Sequence, residues 1–155
     1  MDRKGLTLIE LLIVIAIISV LAMIAVPGYI GQQRNAARTE AYSNLQNLRL
    51  LEEQFFAENA AYTADLGSAG ATTAIRDANS TAIRAVLSGF HPGADSNFSY
   101  RVIQNNQIQT PVADPPVWVA SPAGTLCFTA VATGVTGSRV SGEVFAIDCN
   151  NNRNF

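Results

Sequence analysis

The run KGLTLIELLIVIAIISVLAMIAVPG, Lys4–Gly28, decides how the chain is read. From Leu6 to Val26 only Thr7, Glu10 and Ser19 interrupt its apolar residues. As a helix those 21 residues extend about 32 Å, enough to cross a bilayer core of about 30 Å. Arg3 and Lys4 precede the run, so the positive-inside rule places the N-terminus in the cytoplasm and the remainder outside. A secretory signal would have a shorter apolar core and a small-residue cleavage site. Ala22, Ala25 and Gly28 imitate such a site, but the run is full length and flows into a further helical pattern. A plain anchor leaves Glu10 unexplained, because a carboxylate costs about 2.5–3.5 kcal/mol at the bilayer centre and still something near its edge.

A cut after Gly5 would explain it. The α-amine of Leu6 would then be the first charge, with Glu10 four residues on and on the same helical face. Between chains, Glu10 of one helix could pair with the Leu6 amine of another. A lone charge among packed apolar helices is costly and a paired one much less so, so such pairing would fix the axial register of neighbours.

Gly5-Leu6-Thr7-Leu8-Ile9-Glu10, followed by LLIVIAII, closely resembles the N-terminus of type IV pilins and pseudopilins, and MDRKG resembles their short basic leader. The likeness runs from Arg3 to about Gly31. It implies that a membrane prepilin peptidase cuts after Gly5 and methylates Leu6, and that Glu10 is the assembly residue. It further implies a precursor in the bacterial inner membrane, with a periplasmic head, that becomes an extracellular pilus of the kind used in adhesion and motility. The implied partners are further copies in a helical homopolymer, the peptidase, the inner-membrane assembly platform and, before assembly, membrane lipid. Two residues depart from the family pattern: Leu6 stands where phenylalanine is usual, and Ser19 where many members carry a helix-loosening glycine.

Pro27 has no N–H for the Met23 carbonyl and Gly28 weakens the helix further, so a helix break is expected at Pro27 and Gly28. In filaments of the family the segment just before this point resembles a melted stretch.

Beyond Gly31 the residues Ala37, Ala41, Leu45, Leu48, Leu51 and Phe55 recur at steps of three and four, one face of an amphipathic helix reaching about Glu58. Tyr29, Tyr42, Phe55, Phe56 and Tyr62 form a loose aromatic series, read as packing against a head rather than as a path for electrons. A short helix is expected from Ile75 to Leu87, ended by Gly89, Pro92 and Gly93. Strand signals lie at Phe98–Ile103, Val117–Ala120, Thr125–Ala132 and Glu143–Cys149. The fold class is therefore α+β, a long N-terminal helix packed against a small antiparallel sheet. The expected layout is a leader at 1–5, a transmembrane or filament-core helix at 6–27, an amphipathic helix at 28–59, a variable region at 60–96, and the sheet with a disulfide loop at 97–155.

The chain has two cysteines, Cys127 and Cys149, and behind an export signal an even number suggests a disulfide. Both are equidistant from Ser138 in the turn-rich TGVTGSRVSG. A hairpin centred there sets Cys127 opposite Cys149, Thr129 opposite Ile147 and Val131 opposite Phe145, all on one face. The bond also resembles the one bordering a surface loop in many type IV pilins.

No enzyme site is visible. His91 in SGFHPG lacks partners for catalysis or metal binding, and Glu52 and Glu53, adjacent on a helix, point apart and read as solvated. Asp148, Asn150 and Asn152 faintly resemble the opening of a calcium loop, but the glycine and glutamate of that loop are missing, leaving a polar C-terminal tail. No cofactor and no metal are expected. Net charge is −2, and removal of Asp2, Arg3 and Lys4, the only lysine, would make it −3, so no nucleic-acid partner is expected. The reading is a type IVa major pilin. The alternatives are a pseudopilin of type II secretion, which a calcium site would favour, and a minor pilin, for instance in DNA uptake, which the acidic charge does not support. An anchored periplasmic enzyme lacks the residues for chemistry.

Overall fold

The computed structural model describes residues 7–155. Helix α1 runs over Leu8–Asn59 and passes from one compact unit, ending at Asn35, into a second, Ala36–Phe155. In the first unit the large apolar side chains from Leu8 to Val26 are exposed, Leu8 by 77 % and Ile24 by 75 %. The helix continues through Pro27 and Gly28. The break expected there is thus absent from this structure; the helix lacks the one bond that Pro27 cannot donate to the Met23 carbonyl.

In the second unit α1 supplies one wall of the core. Ala37, Ala41, Leu45 and Leu48 are buried, with Leu51 and Phe55 packed partly against the same cluster. The helix ends where Ala60 takes a left-handed φ of 54° and its N–H bonds the Phe56 carbonyl. Helix α2, Thr73–Val86, starts at the N-cap Thr72, whose hydroxyl accepts from the Ile75 N–H at 3.3 Å. Its buried Asn79 accepts from the Ser68 N–H and donates to the Ser68 carbonyl and the Ser99 hydroxyl, fastening the segment after α1 to the sheet.

The sheet has the order β1-β4-β5, all antiparallel: β1 is Phe98–Gln104, β4 is Phe128–Gly134 and β5 is Val144–Asp148. Two short strands, β2 (Asn106–Ile108) and β3 (Trp118–Ala120), pair as a ribbon. One face of the sheet sends Phe98, Tyr100, Val102, Phe128, Ala130, Ala132 and Ile147 into the cluster with α1. The other sends Val131 and Ala146 to meet Ile108, with Ile103, Trp118 and Val144 around them. Each large side chain so buried contributes about 1.5–3 kcal/mol.

The β4–β5 register differs by one residue from the sequence expectation. Thr129 opposes Asp148, Ala130 opposes Ile147 and Ala132 opposes Phe145. The centre of the hairpin falls between Ser138 and Arg139, not on Ser138. Gly134 adds a further pairing with Glu143, its N–H bonding the Glu143 carbonyl at 2.8 Å. The loop then crosses so close that any β-carbon at Gly134 would collide with the Val140 carbonyl. One residue of slip exchanges the faces of a strand. The observed register puts Ile147 and Phe145 on the α1 side with Ala130 and Ala132, and leaves Asp148 on the opposite face.

The expected disulfide is present, Cys127 to Cys149, with Cα atoms 5.3 Å apart. It joins residues just beyond the ends of β4 and β5 and is offset by one from the register, since the Cys149 N–H bonds the Phe128 carbonyl. The bond closes a loop across a sequence separation of 22. Replacing both cysteines by serine should therefore lower the stability of the 36–155 unit by about 3 kcal/mol in the loop-closure model. Urea unfolding of wild type and double variant, followed by near-UV circular dichroism, checks this; coincident midpoints would contradict it.

Candidate functional site

The Gly5–Leu6 junction lies outside the described residues, as does the Leu6 amine. The first described residue, Thr7, caps α1. Its N–H and hydroxyl donate to Glu10 Oε2 at 2.9 and 2.7 Å, and its hydroxyl accepts from the Glu10 N–H at 3.3 Å. This is a capping box, which satisfies two N–H groups that a helix start leaves without partners. The sequence reading passed over it, although Thr7-Leu8-Ile9-Glu10 carries the T-x-x-E signature. Both bonds to the Glu10 carboxylate fall on Oε2; among the described residues Oε1 takes none.

The segment that follows is suited to an apolar environment. Its one interior hydroxyl, Ser19, donates to the Ile15 carbonyl at 2.7 Å, so that hydroxyl does not travel unsatisfied with the apolar surface. Among the described residues α1 is the one helix long and apolar enough to cross a membrane.

In the 36–155 unit, the acids are arranged differently from the sequence expectation. Glu52 is fully buried rather than solvated. Its carboxylate accepts from the Thr63 hydroxyl and from the Thr63 N–H at 3.1 Å, tying α1 to the segment after it. Glu52 stands four residues after Leu48 on the same buried stripe, and it is the return of Thr63 that supplies the donors an acid needs there. Burial pushes the Glu52 carboxyl above its ordinary value, with the Thr63 bonds pulling part of the way back and Glu53 adding to the rise. Glu53, by contrast, is half-buried and accepts from the Tyr62 hydroxyl at 3.3 Å.

Asp148 is also buried and is surrounded by donors. It accepts from the N–H groups of Ile108, Asn150 and Asn152 and from the Asn152 side-chain amide, at 2.8–3.0 Å. A calcium site needs oxygen ligands converging on the ion, and here N–H groups converge on the acid. Among the described residues no group of three or more His, Cys, Asp or Glu side chains is placed to hold a metal. His91 lies exposed in its loop.

Residues 1–26 match the family model described as the prokaryotic N-terminal methylation motif. The chain carries this motif, and over its first part it is similar to several pilins. It is 45 % identical over 61 residues to the type IV major pilin protein PilA of Myxococcus xanthus, covering 39 % of this chain and 28 % of that protein. It is 39 % identical over 64 residues to the type IV wide pilus major component PilA4 of Thermus thermophilus, 41 % of this chain and 49 % of that protein. A third relative, the fimbrial protein EcpC of Eikenella corrodens, is 37 % identical over 68 residues, 44 % of each chain. The matched pilin stretches thus span between about a quarter and a half of those relatives' lengths. No solved structure matches the chain.

The buried Glu52 gives a pH dependence with a definite sign. Because its carboxyl is raised, the fold takes up this proton more readily than the unfolded chain does. The stability from this group is fully present below the ordinary carboxyl value of 4.5 and is lost as pH rises through the folded value. Glu52→Gln keeps an oxygen for the Thr63 N–H and a donor for its hydroxyl without the charge. At pH 7 the variant should melt higher than wild type, and its melting temperature should vary less between about pH 4.5 and 7. Thermal melts across that range check it; a lower melting temperature at pH 7 would show that the charged bonds to Thr63 outweigh desolvation.

Proposed function

We propose that this chain is the structural subunit of a type IV pilus. The observation that carries the reading is the coincidence of the methylation motif over residues 1–26 with a helix whose apolar side chains stand exposed from Leu8 to Val26. In this reading the precursor sits in the inner membrane, N-terminus in the cytoplasm because of Arg3 and Lys4, with the 36–155 unit outside. The peptidase cuts after Gly5 and methylates Leu6, and the assembly platform draws the helix from lipid into the filament. The exposed apolar surface then exchanges lipid for neighbouring helices. The head acts as a coat rather than a catalyst. The disulfide and the donor-filled surroundings of Asp148 support a pilin over a calcium-binding pseudopilin.

Processing has a direct test. Protein recovered from sheared surface filaments should begin at methylated Leu6, read by N-terminal sequencing and mass spectrometry. A start beyond Leu6 would sink the pilin reading.

Glu10 has two possible uses, and two variants separate them. Glutamine can serve in a capping box, so Glu10→Gln keeps the bonds to Thr7 while removing the charge. Glu10→Leu loses both. If Glu10 pairs with a neighbour's Leu6 amine, both variants should be made, inserted and cut, yet form few or no filaments. Breaking a fully buried ion pair costs about 3–5 kcal/mol, repeated at each subunit. Electron microscopy with immunoblots for the processed form decides the matter; normal filaments from Glu10→Gln would assign Glu10 to capping alone.

A further inference from the structure

Strand β1 lies at one side of the sheet, and its outer edge is sealed by a strap rather than by a strand. The strap is the segment 60–67, between the end of α1 and the stretch before α2. Leu66, buried, exchanges two main-chain bonds with Val102, at 3.0 and 2.9 Å. Asp65 Oδ1 accepts from the Gln104 N–H at 2.7 Å, and the Tyr62 carbonyl accepts from the Gln104 side-chain amide at 2.9 Å. The Tyr62 ring also meets Phe56 of α1 and Phe128 of β4, with centroids 4.7 and 4.8 Å away. The strap begins and ends at left-handed residues, Ala60 with φ of 54° and Gly67 with φ of 83°. Element-terminal residues of this kind absorb the φ/ψ change when a segment moves. At Ala60 the conformation is costly for a residue with a β-carbon, and opening would relieve it. Beyond Gly67 the chain is fixed again, because Asn79 holds both the N–H and the carbonyl of Ser68.

Between these two ends the strap is fastened to α1 through Thr63, which is buried and gives both its N–H and its hydroxyl to Glu52. Glu52 has no exposed surface, and among the described residues no cationic group comes within ion-pair distance of it. The titratable and charged groups nearby are Glu53 and Arg49 on α1 and Tyr62 and Asp65 on the strap. Glu53 adds a like charge, and its carboxylate is taken up by the Tyr62 hydroxyl. The charged residue of β1, Arg101, lies instead over Trp118, 5.2 Å from the ring centre. A neutral carboxyl fits this site, accepting from the Thr63 N–H and donating to the Thr63 side-chain oxygen. A carboxylate keeps two hydrogen bonds there but has no counter-charge. Water would relieve it, and water reaches it when the strap lifts. The rise that burial imposes on the Glu52 carboxyl is the same coupling seen from the closed state.

We propose that residues 60–67 form a proton-gated strap: a neutral Glu52 clamps it on the β1 edge, and a charged Glu52 releases it about Ala60 and Gly67. Opening parts Leu66 from Val102 and bares main-chain groups of an edge strand, the kind of surface that proteins keep covered. The event is local. It leaves α1 packed on the sheet, and so differs from the dependence of whole-fold stability on the same acid. Opening rises with pH from the ordinary carboxyl value of 4.5 up to the raised value of the closed state, and levels off above it. The inference is independent of the pilus reading.

The test is hydrogen exchange of the detergent-solubilised full chain from about pH 4.5 to about pH 8, each amide's rate being divided into its intrinsic rate to give a protection factor. Protection of the Leu66 and Val102 amides should fall by about fivefold or more across that range, the factor that one net hydrogen bond corresponds to, and then level off. Protection of Ala130 and Ala132, in the central strand, should fall less. In Glu52→Gln, which stays neutral with the same shape, strap protection should not vary with pH. Thr63→Val keeps the N–H bond and loses the hydroxyl, so strap protection at about pH 7 should drop below that of wild type. Flat protection in wild type overturns the proposal. So does an equal fall at Ala130 and Ala132, which marks unfolding of the whole unit, or the same fall in Glu52→Gln, which assigns it to another group. Should Glu52→Gln fail to fold, unchanged strap protection in Thr63→Val overturns it independently.

Discussion

The stripe Ala37, Ala41, Leu45 and Leu48 must lose its contact with water, and the head is arranged around that requirement. Its first two residues are small, so the sheet can bring large rings close: Phe98, Tyr100 and Phe128 fill the space that alanine leaves. Its last two are leucines and carry most of the area. Phe90 and Tyr100 meet edge to face at 5.4 Å, and the Tyr100 hydroxyl, whose pKa burial pushes up to about 12, accepts from the Asn44 side chain at 2.9 Å. Even the buried polar group of this wall thus finds its partner on α1. The surface ion pair between Arg38 and Glu143 is partly exposed and adds orientation more than stability.

The same helix shows why the two units place opposite demands on sequence. From Leu8 to Val26 apolar residues occur all round α1, and the surface is exposed; after Ala36 they concentrate on one face, and that face is buried. A helix apolar on every side has no preferred partner within a monomer and suits lipid or other helices. A helix apolar on one side has a single solution, the sheet.

Much of this was legible from residue spacing. The 3-and-4 stripe of α1 names its buried face, and the alternation of Phe98, Tyr100 and Val102 names β1, because these residues face the main core while Arg101 and Ile103 on the other side are only partly covered. Strand β4 is harder: every residue from Phe128 to Ala132 is buried, since both faces are covered, and alternation disappears. Its register does not follow from hydrophobic pattern, and placing the two cysteines directly opposite each other sets it one residue off, because the disulfide is offset by one from the strand pairing. Glu52 failed for a related reason. Its burial depends on Thr63, eleven residues on, supplying both an N–H and a hydroxyl, and no local pattern announces that return. The three-residue strand β2 lies below what period-two counting can resolve, and the Thr7–Glu10 cap was hidden beneath the question of why an acid should sit in lipid.

Asn79 has a consequence for how the surface of this head can change over evolutionary time. Its amide grips both the N–H and the carbonyl of Ser68 and reaches a single hydroxyl on β1. Main-chain atoms are common to every residue but proline, so the joint survives replacement of the Ser68 side chain, though not of Gly67, where a β-carbon would meet the Asn79 amide at 2.8 Å. The outward residues of α2 can therefore drift in charge, polarity and shape while the anchoring point stays fixed. The unit thus has a face that can be redrawn without reopening its core.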